Sequence, residues 1–96
     1  MLDVHPTAPN QIWVGDVTYV KSAGQWRYLA VVMDRHSRRI LGWSLAPRRD
    51  LSLTLASLNR ALLRRRPAPG LIFHSDRGIE FSAYAFRARL AALGIT

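Results

Sequence analysis

The sequence predicts an α/β fold in which three antiparallel strands of a mixed sheet are followed by a helix, a fourth strand and a second helix. Three observations lead to this prediction. Three β-prone apolar segments lie between residues 12 and 46 with short connections, and strands so close in sequence pair antiparallel. Leucines then recur at helical spacing. A short apolar segment follows at residues 71–74, and a helix between two strands favours a right-handed crossover with parallel pairing.

The strands are expected after an extended lead-in over residues 1–11, where two prolines oppose a helix. We predict strands at residues 12–20, 26–34 and 39–46, which are rich in Val, Ile, Trp and Tyr. The second segment is almost continuously apolar, which is typical of a strand covered on both faces. Residues 21–25 contain a glycine and are long enough for a hairpin connection.

Both helices have recognisable ends. Asp50 or Ser52 can cap the first helix, and Pro67 lies beyond its last turn. Its spacing predicts a buried stripe made of four leucines, Leu51, Leu55, Leu58 and Leu62. Ser82 can cap the last helix, which is predicted to run through Leu93. One side of that helix is predicted to carry Tyr84 or Ala85, Ala88 and Leu93.

The charge balance favours a polyanionic partner. Fourteen Lys and Arg face six Asp and Glu, the formal net charge is +8, and the sequence pI is about 11.5. Basic chains gain affinity for nucleic acid through counterion release, so DNA or RNA is favoured over a merely solvated basic surface. Three consecutive arginines near the end of the first helix, Arg64, Arg65 and Arg66, are candidate phosphate contacts, although charge runs at helix ends are usually solvated.

Several classes of protein are excluded or disfavoured. The sequence has no cysteine, so disulfides and Cys-bound zinc are excluded. No apolar run approaches the roughly eighteen residues that a membrane span needs, and the first residues do not resemble a signal peptide. The length of 96 residues predicts one domain with a thin stability margin. We therefore expect a cytoplasmic protein without a membrane partner.

Asp16 interrupts an apolar, β-prone segment. A carboxylate is costly to bury in a central strand unless it is paired, protonated or bound to a metal. An ordinary polar residue on an exposed face would give the same pattern, and the segment alone does not decide between the two interpretations.

Asp76 directly follows the short strand at residues 71–74. Ligand sites in α/β sheets favour the C-terminal ends of strands, and Gly78 permits a tight turn, although an Asp in an ordinary turn would look the same. Two carboxylates on adjacent strands are what Mg²⁺ binds, together with several waters. Asp16 and Asp76 are therefore candidate metal ligands.

Other polar and aromatic residues favour structural roles. Asp34 ends the second predicted strand beside Arg35, Arg38 and Arg39, and we predict a structural ion pair or turn contact for it. His74 could ligate a metal or relay a proton, but a histidine at the end of a buried strand is more often structural. The tryptophans Trp13, Trp26 and Trp43 could stack on bases, but aromatic residues in strands usually belong to the core.

Four segments, taken in order, resemble the catalytic core of DDE-type insertion-sequence transposases, which are related to retroviral integrases. They are PNQIWVGDVTY at residues 9–19, WRYLAVVMD at 26–34, SRRILGWS at 37–44 and HSDRGIEF at 74–81. Each segment is modest alone, but their common order along nearly the whole chain makes the resemblance specific.

The resemblance implies a ribonuclease-H-like fold, bound Mg²⁺ or Mn²⁺, and cleavage and strand transfer of DNA in integration and transposition. It matches Asp16 to the first catalytic and metal-binding aspartate of the family and Asp76 to the second. Residues 12–96 then form a partial integrase catalytic core. Arg77, which follows Asp76, joins Arg64, Arg65 and Arg66 as a candidate DNA contact.

The third catalytic acid of the family is a glutamate on a later helix. Glu80 is the only glutamate in the chain, and it matches a residue of the second motif instead. We therefore expect a C-terminally incomplete core that binds metal weakly and is inactive alone. The alternatives are a non-catalytic nucleic-acid-binding or assembly remnant and, less favoured, a small independent nuclease. An unpaired sheet edge would favour homo-oligomers.

Overall fold

The computed structural model describes residues 6–67, 69–75 and 84–95. Within these ranges the strands are β1 (Ile12–Ser22), β2 (Gln25–Asp34), β3 (Ile40–Ala46) and β4 (Ile72–His74). The helices are α1 (Leu51–Arg65) and α2 (Tyr84–Ala92). The strands form one sheet in the order β3-β2-β1-β4, with β4 parallel to β1 and the other pairs antiparallel. The predicted mixed α/β architecture is confirmed.

The hairpin between β1 and β2 is longer than the sequence predicts. Its turn consists of Ala23 and Gly24, which both have positive φ, 52° and 78°. Two-residue turns with this geometry match the twist of paired strands, so pairing continues to Ser22 and Gln25. Residues 7–11, by contrast, form bends and turns instead of an extended lead-in. There the side chain of Gln11 accepts hydrogen bonds from the backbone N–H groups of Thr7 and Ala8.

Asp50 is the residue that caps α1. Its carboxylate accepts hydrogen bonds from the Ser52 hydroxyl at 2.7 Å and from the Leu53 N–H at 3.2 Å. These two bonds hold the pKa of Asp50 below its usual range. The stabilisation that this shift represents is present above the carboxyl's unfolded pKa and is lost as pH falls through the lower folded value. At the other end, Arg66 adopts a left-handed conformation with φ of 43° and donates its N–H to Leu62.

Helix α1 packs through small residues and not through the predicted leucine stripe. Only Leu58 of that stripe is fully buried, whereas Leu51, Leu55 and Leu62 are half-buried at its margins. The buried face consists of Leu53, Thr54, Ser57, Leu58 and Ala61. The hydroxyls of Thr54 and Ser57 donate hydrogen bonds to carbonyls within the helix, which offsets the free-energy cost of burying these polar groups. The leucine spacing predicts the correct side of α1 but not the residues at the centre of its buried face.

Gly42 explains why small residues lie at that centre. It is opposite Val32 in the sheet, and α1 lies directly over it. A Cβ atom at Gly42 would meet the carbonyl oxygen of Ser57 and would lie 2.5 Å from the backbone nitrogen of Ala61. The helix backbone therefore approaches the sheet as closely as the absence of a side chain allows.

The buried face of α2 also differs from the prediction. Ala85 and Ala88 are exposed, whereas Phe86 and Leu90 are buried and Leu93 is half-buried. The ring of Phe86 contacts that of Phe73 in β4, with 5.4 Å between centroids. The larger apolar side chains thus outcompete the alanines for the core. Ser82, the predicted cap, lies outside the described residues.

The two faces of the sheet are covered unequally. Alternate residues such as Trp13, Ala30 and Val32 point to the helices and are fully buried. On the opposite face, Leu29 and Val31 of β2 are half-buried, although the sequence predicted burial on both sides. Three large apolar residues on β3 are exposed nearby: Ile40, Trp43 and Leu45. Neither described helix is long and apolar enough to cross a membrane.

We predict that Gly42→Ala destabilises the protein by about 1–3 kcal/mol, because the added methyl group must displace the α1 backbone. Urea unfolding monitored by circular dichroism measures this loss. The control is Gly24→Asn, which adds a side chain where no heavy atom lies within 4 Å. Asn tolerates the positive φ of that position, so the control should change stability far less. Equal effects of both variants would contradict the close approach at Gly42.

Candidate metal and DNA site

Asp16 lies in the middle of β1, on the sheet face that neither described helix covers. It is opposite Val31 in the register with β2, and its side chain is exposed. One carboxylate oxygen, Oδ1, accepts a hydrogen bond from the N–H of Val17 at 2.9 Å. Of the two interpretations that the sequence left open, the structure selects the exposed carboxylate. The ion pair seen among the described residues joins Arg65 and Asp34 and does not involve Asp16. The exposed carboxylate of Asp16 therefore keeps oxygen atoms available for a ligand.

The end of β4 lies next to Asp16. Strand β4 runs parallel to β1 with Ile12 beside Ile72 and Val14 beside His74. His74, which is half-buried, therefore shares the sheet face of Val14 and Asp16 and lies two register positions before Asp16. Asp76 and Arg77 lie outside the described residues, so the predicted meeting of the two aspartates stays a prediction.

The chemistry of Asp16 fits one ligand position of a hard cation. Mg²⁺ prefers oxygen ligands, keeps several waters and uses one or two protein carboxylates. An exposed carboxylate leaves room for those waters. In the part of the chain that the structure describes, no group of three or more His, Asp or Glu residues could hold a metal ion.

Asp34 has a different role, because its side chain is fully buried and its oxygens are occupied. Oδ1 accepts hydrogen bonds from the N–H groups of His36, at 2.8 Å, and Ser37, at 3.3 Å. Oδ2 accepts one from the Asn10 N–H at 2.8 Å and lies 3.8 Å from the Arg65 guanidinium. The predicted structural role is thus observed, but the ion-pair partner is Arg65 and not Arg35, Arg38 or Arg39.

Asn10 extends this network and is a residue that the sequence did not single out. Its side-chain oxygen accepts hydrogen bonds from the Trp13 indole and from Arg65, both at 3.2 Å. Asn10 also has a positive φ of 63°, a conformation that Asn adopts more readily than most residues. The Asn in a Pro-Asn pair was the available signal, but nothing in the sequence linked it to a helix fifty-five residues away.

The three consecutive arginines do not share one environment. Arg65 is half-buried and engaged with Asp34 and Asn10, so its guanidinium already serves a structural contact. Arg64 and Arg66 are exposed. Arg66 borders two grooves of about 490 and 690 Å³, one between α1 and α2 and one between the lead-in and β4. Neither groove includes Asp16.

The tryptophans also separate. Trp13 is fully buried at the centre of the core, as the sequence favoured. Trp26 and Trp43 are 56% and 54% exposed, so the core assignment is wrong for both. They lie on opposite faces of the sheet, because Trp26 pairs with Lys21 and Trp43 pairs with Val31.

Comparison with known proteins gives a consistent set of relatives. The family model of the integrase core domain matches residues 6–96. Transposase InsF of insertion sequence IS3A from Escherichia coli (strain K12) is 41% identical over 88 residues, which cover 92% of this chain and 31% of the relative. An uncharacterized 31 kDa protein of insertion element IS600 from Shigella sonnei is 45% identical over 82 residues, covering 85% of this chain and 30% of the relative. This chain thus spans about a third of these relatives.

Solved structures show the same fold. A chain of the simian T-cell lymphotropic virus intasome, in complex with PP2A regulatory subunit B56 gamma, matches with a TM-score of 0.81 and 26% identity. That match covers 96% of this chain and 32% of the other. The HTLV-2 integrase catalytic core domain, in complex with magnesium and in a trimeric form, matches with a TM-score of 0.79. At 23% identity, covering 96% of this chain and 60% of that one, it shows the fold alone.

We predict that Asp34→Asn destabilises the protein and that Asp16→Asn hardly changes its stability. Asn at position 34 would direct an amide N–H against a backbone N–H and weaken the Arg65 contact, which should cost about 2 kcal/mol. Asp16→Asn removes an exposed charge and should change the free energy of unfolding by less than about 0.5 kcal/mol. Urea unfolding of the two variants measures both effects. A large loss from Asp16→Asn would assign that residue a structural role.

Proposed function

The chain belongs to the integrase core family, and we propose that it carries part of the site for metal-dependent DNA cleavage and strand transfer, with Asp16 and Asp76 as metal ligands. The resemblance to DDE transposases is confirmed by the family model and by the 41% identity to InsF. The fold is that of integrase catalytic cores, as expected for a ribonuclease-H-like chain. The reaction, the metal and the DNA substrate are the proposal.

The observation that carries this proposal is the exposed carboxylate of Asp16 beside the end of β4. The parallel register offsets partners by 60 positions, since 72 − 12 = 60. In the sequence, Asp76 lies two residues after His74, just as Asp16 lies two residues after Val14, the partner of His74. We propose that the carboxylate of Asp76, after β4, and that of Asp16, on the adjacent β1, share a divalent ion.

Asp16 is suited to this role because its carboxylate is exposed. It accepts one backbone hydrogen bond, from the N–H of Val17, which orients the carboxylate. Two divalent ions, when bound, stabilise the attacking and leaving oxygens of phosphoryl transfer. The contribution of this chain is then to hold carboxylate oxygens at fixed positions on a rigid strand.

The DNA-binding part of the proposal rests on charge. The formal net charge of +8 favours a polyanion, and Arg64 and Arg66 present exposed guanidinium groups at the end of α1. Because the guanidinium of Arg65 is held by Asp34, we assign phosphate contacts to Arg64 and Arg66 and leave Arg65 as the residue that fixes the helix end. Arg77 is kept as a further candidate, since it follows Asp76 directly.

The rival function is a nucleic-acid-binding or assembly module without catalysis. It is favoured by one observation: the formal net charge of +8 supports nucleic-acid binding whether or not the chain catalyses a reaction. Such a module would keep the basic surface and the fold but not complete a ligand set that fixes two metal ions. Self-association through a sheet edge or the open apolar face stays part of both proposals.

We predict weak binding of Mg²⁺ or Mn²⁺ that is lost in Asp16→Asn and in Asp76→Asn, because each change removes an anionic oxygen ligand. Isothermal titration calorimetry measures the affinity. The matched control is Asp50→Asn, which makes the same charge change at another exposed aspartate and keeps a good helix cap. Binding that survives Asp16→Asn, or that is lost equally in the control, would contradict the assignment.

The reaction is tested with the same variants, Mn²⁺ and pre-cleaved transposon-end DNA. We expect no strand joining from the 96-residue chain alone, and joining that depends on Asp16 when the glutamate-bearing segment of a relative is fused behind it. Joining by the 96 residues themselves, abolished by Asp76→Ala, would show that another group of this chain completes the site.

We predict salt-sensitive duplex binding in which Arg64 contributes a phosphate contact. Arg64→Gln should weaken binding and reduce the slope of log K against log salt by about 0.9. Fluorescence anisotropy at several salt concentrations measures both quantities. Arg27→Gln removes the same charge at the opposite end of the sheet and should leave the slope nearly unchanged. Equal effects of the two variants would mean that net charge, and not a surface at the end of α1, determines binding.

A further inference from the structure

We infer that an aromatic patch at the hairpin end of the sheet, made of Tyr19, Trp26 and Tyr28 with Lys21, is a stacking site for unpaired nucleotides. The patch is separate from the proposed catalytic site: it lies on the other face of the sheet from Asp16. The inference does not depend on metal binding or strand transfer.

The patch is a continuous row of rings. In the register of β1 and β2, Tyr19 is opposite Tyr28 and Lys21 is opposite Trp26, so alternate residues place all four side chains on one face. The rings of Tyr19 and Tyr28 are stacked, with centroids 4.8 Å apart and an interplanar angle of 12°. The ring of Trp26 follows at 4.9 Å from that of Tyr19.

The row remains open to solvent. Tyr19 and Trp26 are each 56% exposed, although they lie on the same sheet face as the core residues Ala30 and Val32. This end of the hairpin extends beyond the area that α1 covers, since α1 begins only after β3 has ended opposite Tyr28. Cross-strand pairing accounts for the contact between the two tyrosines. This pairing does not account for Trp26, more than half of which is exposed to solvent.

Charge identifies the occupant. The ammonium group of Lys21 lies 5.9 Å from the centroid of the Trp26 ring, so a cation lies beside an exposed aromatic side chain. Strand β3 ends opposite Tyr28, and the exposed Arg48 follows two residues later, although Asp50 at the cap of α1 offsets part of this charge. Aromatic rings interleaved with cations are how proteins bind single-stranded nucleic acid: bases stack on the rings and phosphates meet the cations.

Unpaired nucleotides fit this patch better than duplex DNA does. In a duplex the faces of the bases are stacked on one another, so exposed rings can meet them only at ends or in unpaired strands. Stacking also tolerates any base sequence, because each base has a π face. The ligand class is therefore a single strand or a frayed end of nucleic acid, bound without sequence preference.

The test compares two tryptophans of equal exposure. Trp26→Thr and Trp43→Thr both replace an exposed tryptophan in a strand by a residue that favours strands. Fluorescence anisotropy with a labelled oligothymidylate, and with a duplex of the same length, measures the affinities. We expect Trp26→Thr to weaken oligothymidylate binding about fivefold or more and duplex binding by less than about twofold. Trp43→Thr should change neither, and Trp26→Phe should restore most of the affinity.

A second measurement does not depend on a destabilising substitution. The variant Trp43→Phe keeps two tryptophans, Trp13, which is buried, and Trp26, which is exposed. Oligothymidylate should quench the Trp26 emission in parallel with the anisotropy change. The absence of quenching, equal losses for Trp26→Thr and Trp43→Thr, or equal losses for single strand and duplex would each overturn the inference. So would self-association of the chain that Trp26→Thr abolishes while oligothymidylate binding persists, since the patch would then bind protein.

Failure of this inference is distinguishable from failure of the proposed function. Asp16→Asn should leave oligothymidylate binding unchanged, and Trp26→Thr should leave metal binding unchanged, because the two residues lie on opposite faces of β1 and β2.

Discussion

A carboxylate with no exposed surface lies where β2 ends, and three parts of the chain meet on it. Asp34 accepts backbone hydrogen bonds from the lead-in at Asn10 and from the following turn at His36, and it pairs with Arg65 at the end of α1. A buried charge is tolerated only when it is paired and hydrogen-bonded, so the three partners are constrained together. Loss of any one of them removes a contact through which Asp34 holds the other two in place. The position of β1, the start of β3 and the end of α1 therefore depend on one another.

Sequence patterns were sufficient for the strands and insufficient for the faces of the helices. The β-prone segments and their short connections predicted β1, β2, β3 and their antiparallel pairing, because these features are local. The buried face of α1 does not follow from the spacing within the helix. It depends on Gly42 of β3, where the helix backbone lies so close to the sheet that small side chains are needed at the contact. In α2 the helical spacing predicts alanines on the packed side, but Phe86 is buried instead. Its burial depends on its contact with Phe73 of β4. Contacts between distant segments cannot be read from the spacing within one of them.

The two aspartates of the first two strands show the same limit for the candidate site. Asp16 and Asp34 each interrupt or end an apolar, β-prone segment, so their sequence environments are alike. The register separates them: Asp34 is opposite Trp13 on the face beneath the helices, whereas Asp16 is opposite Val31 on the other face. The first is therefore enclosed and neutralised by partners, and the second keeps an exposed carboxylate. The pairing register, which is not visible in either segment alone, is what separates the exposed acid from the structural one.

The same division applies to the sheet as a whole. Most of one face is committed to stability, since helices cover it from Trp13 to Ser44, whereas its hairpin end with Tyr19 and Trp26 stays exposed. The other face carries Asp16 among half-buried and exposed apolar side chains, including Trp43. The alternation of side chains along β1 therefore places the exposed Asp16 on one face while Trp13 is buried on the other.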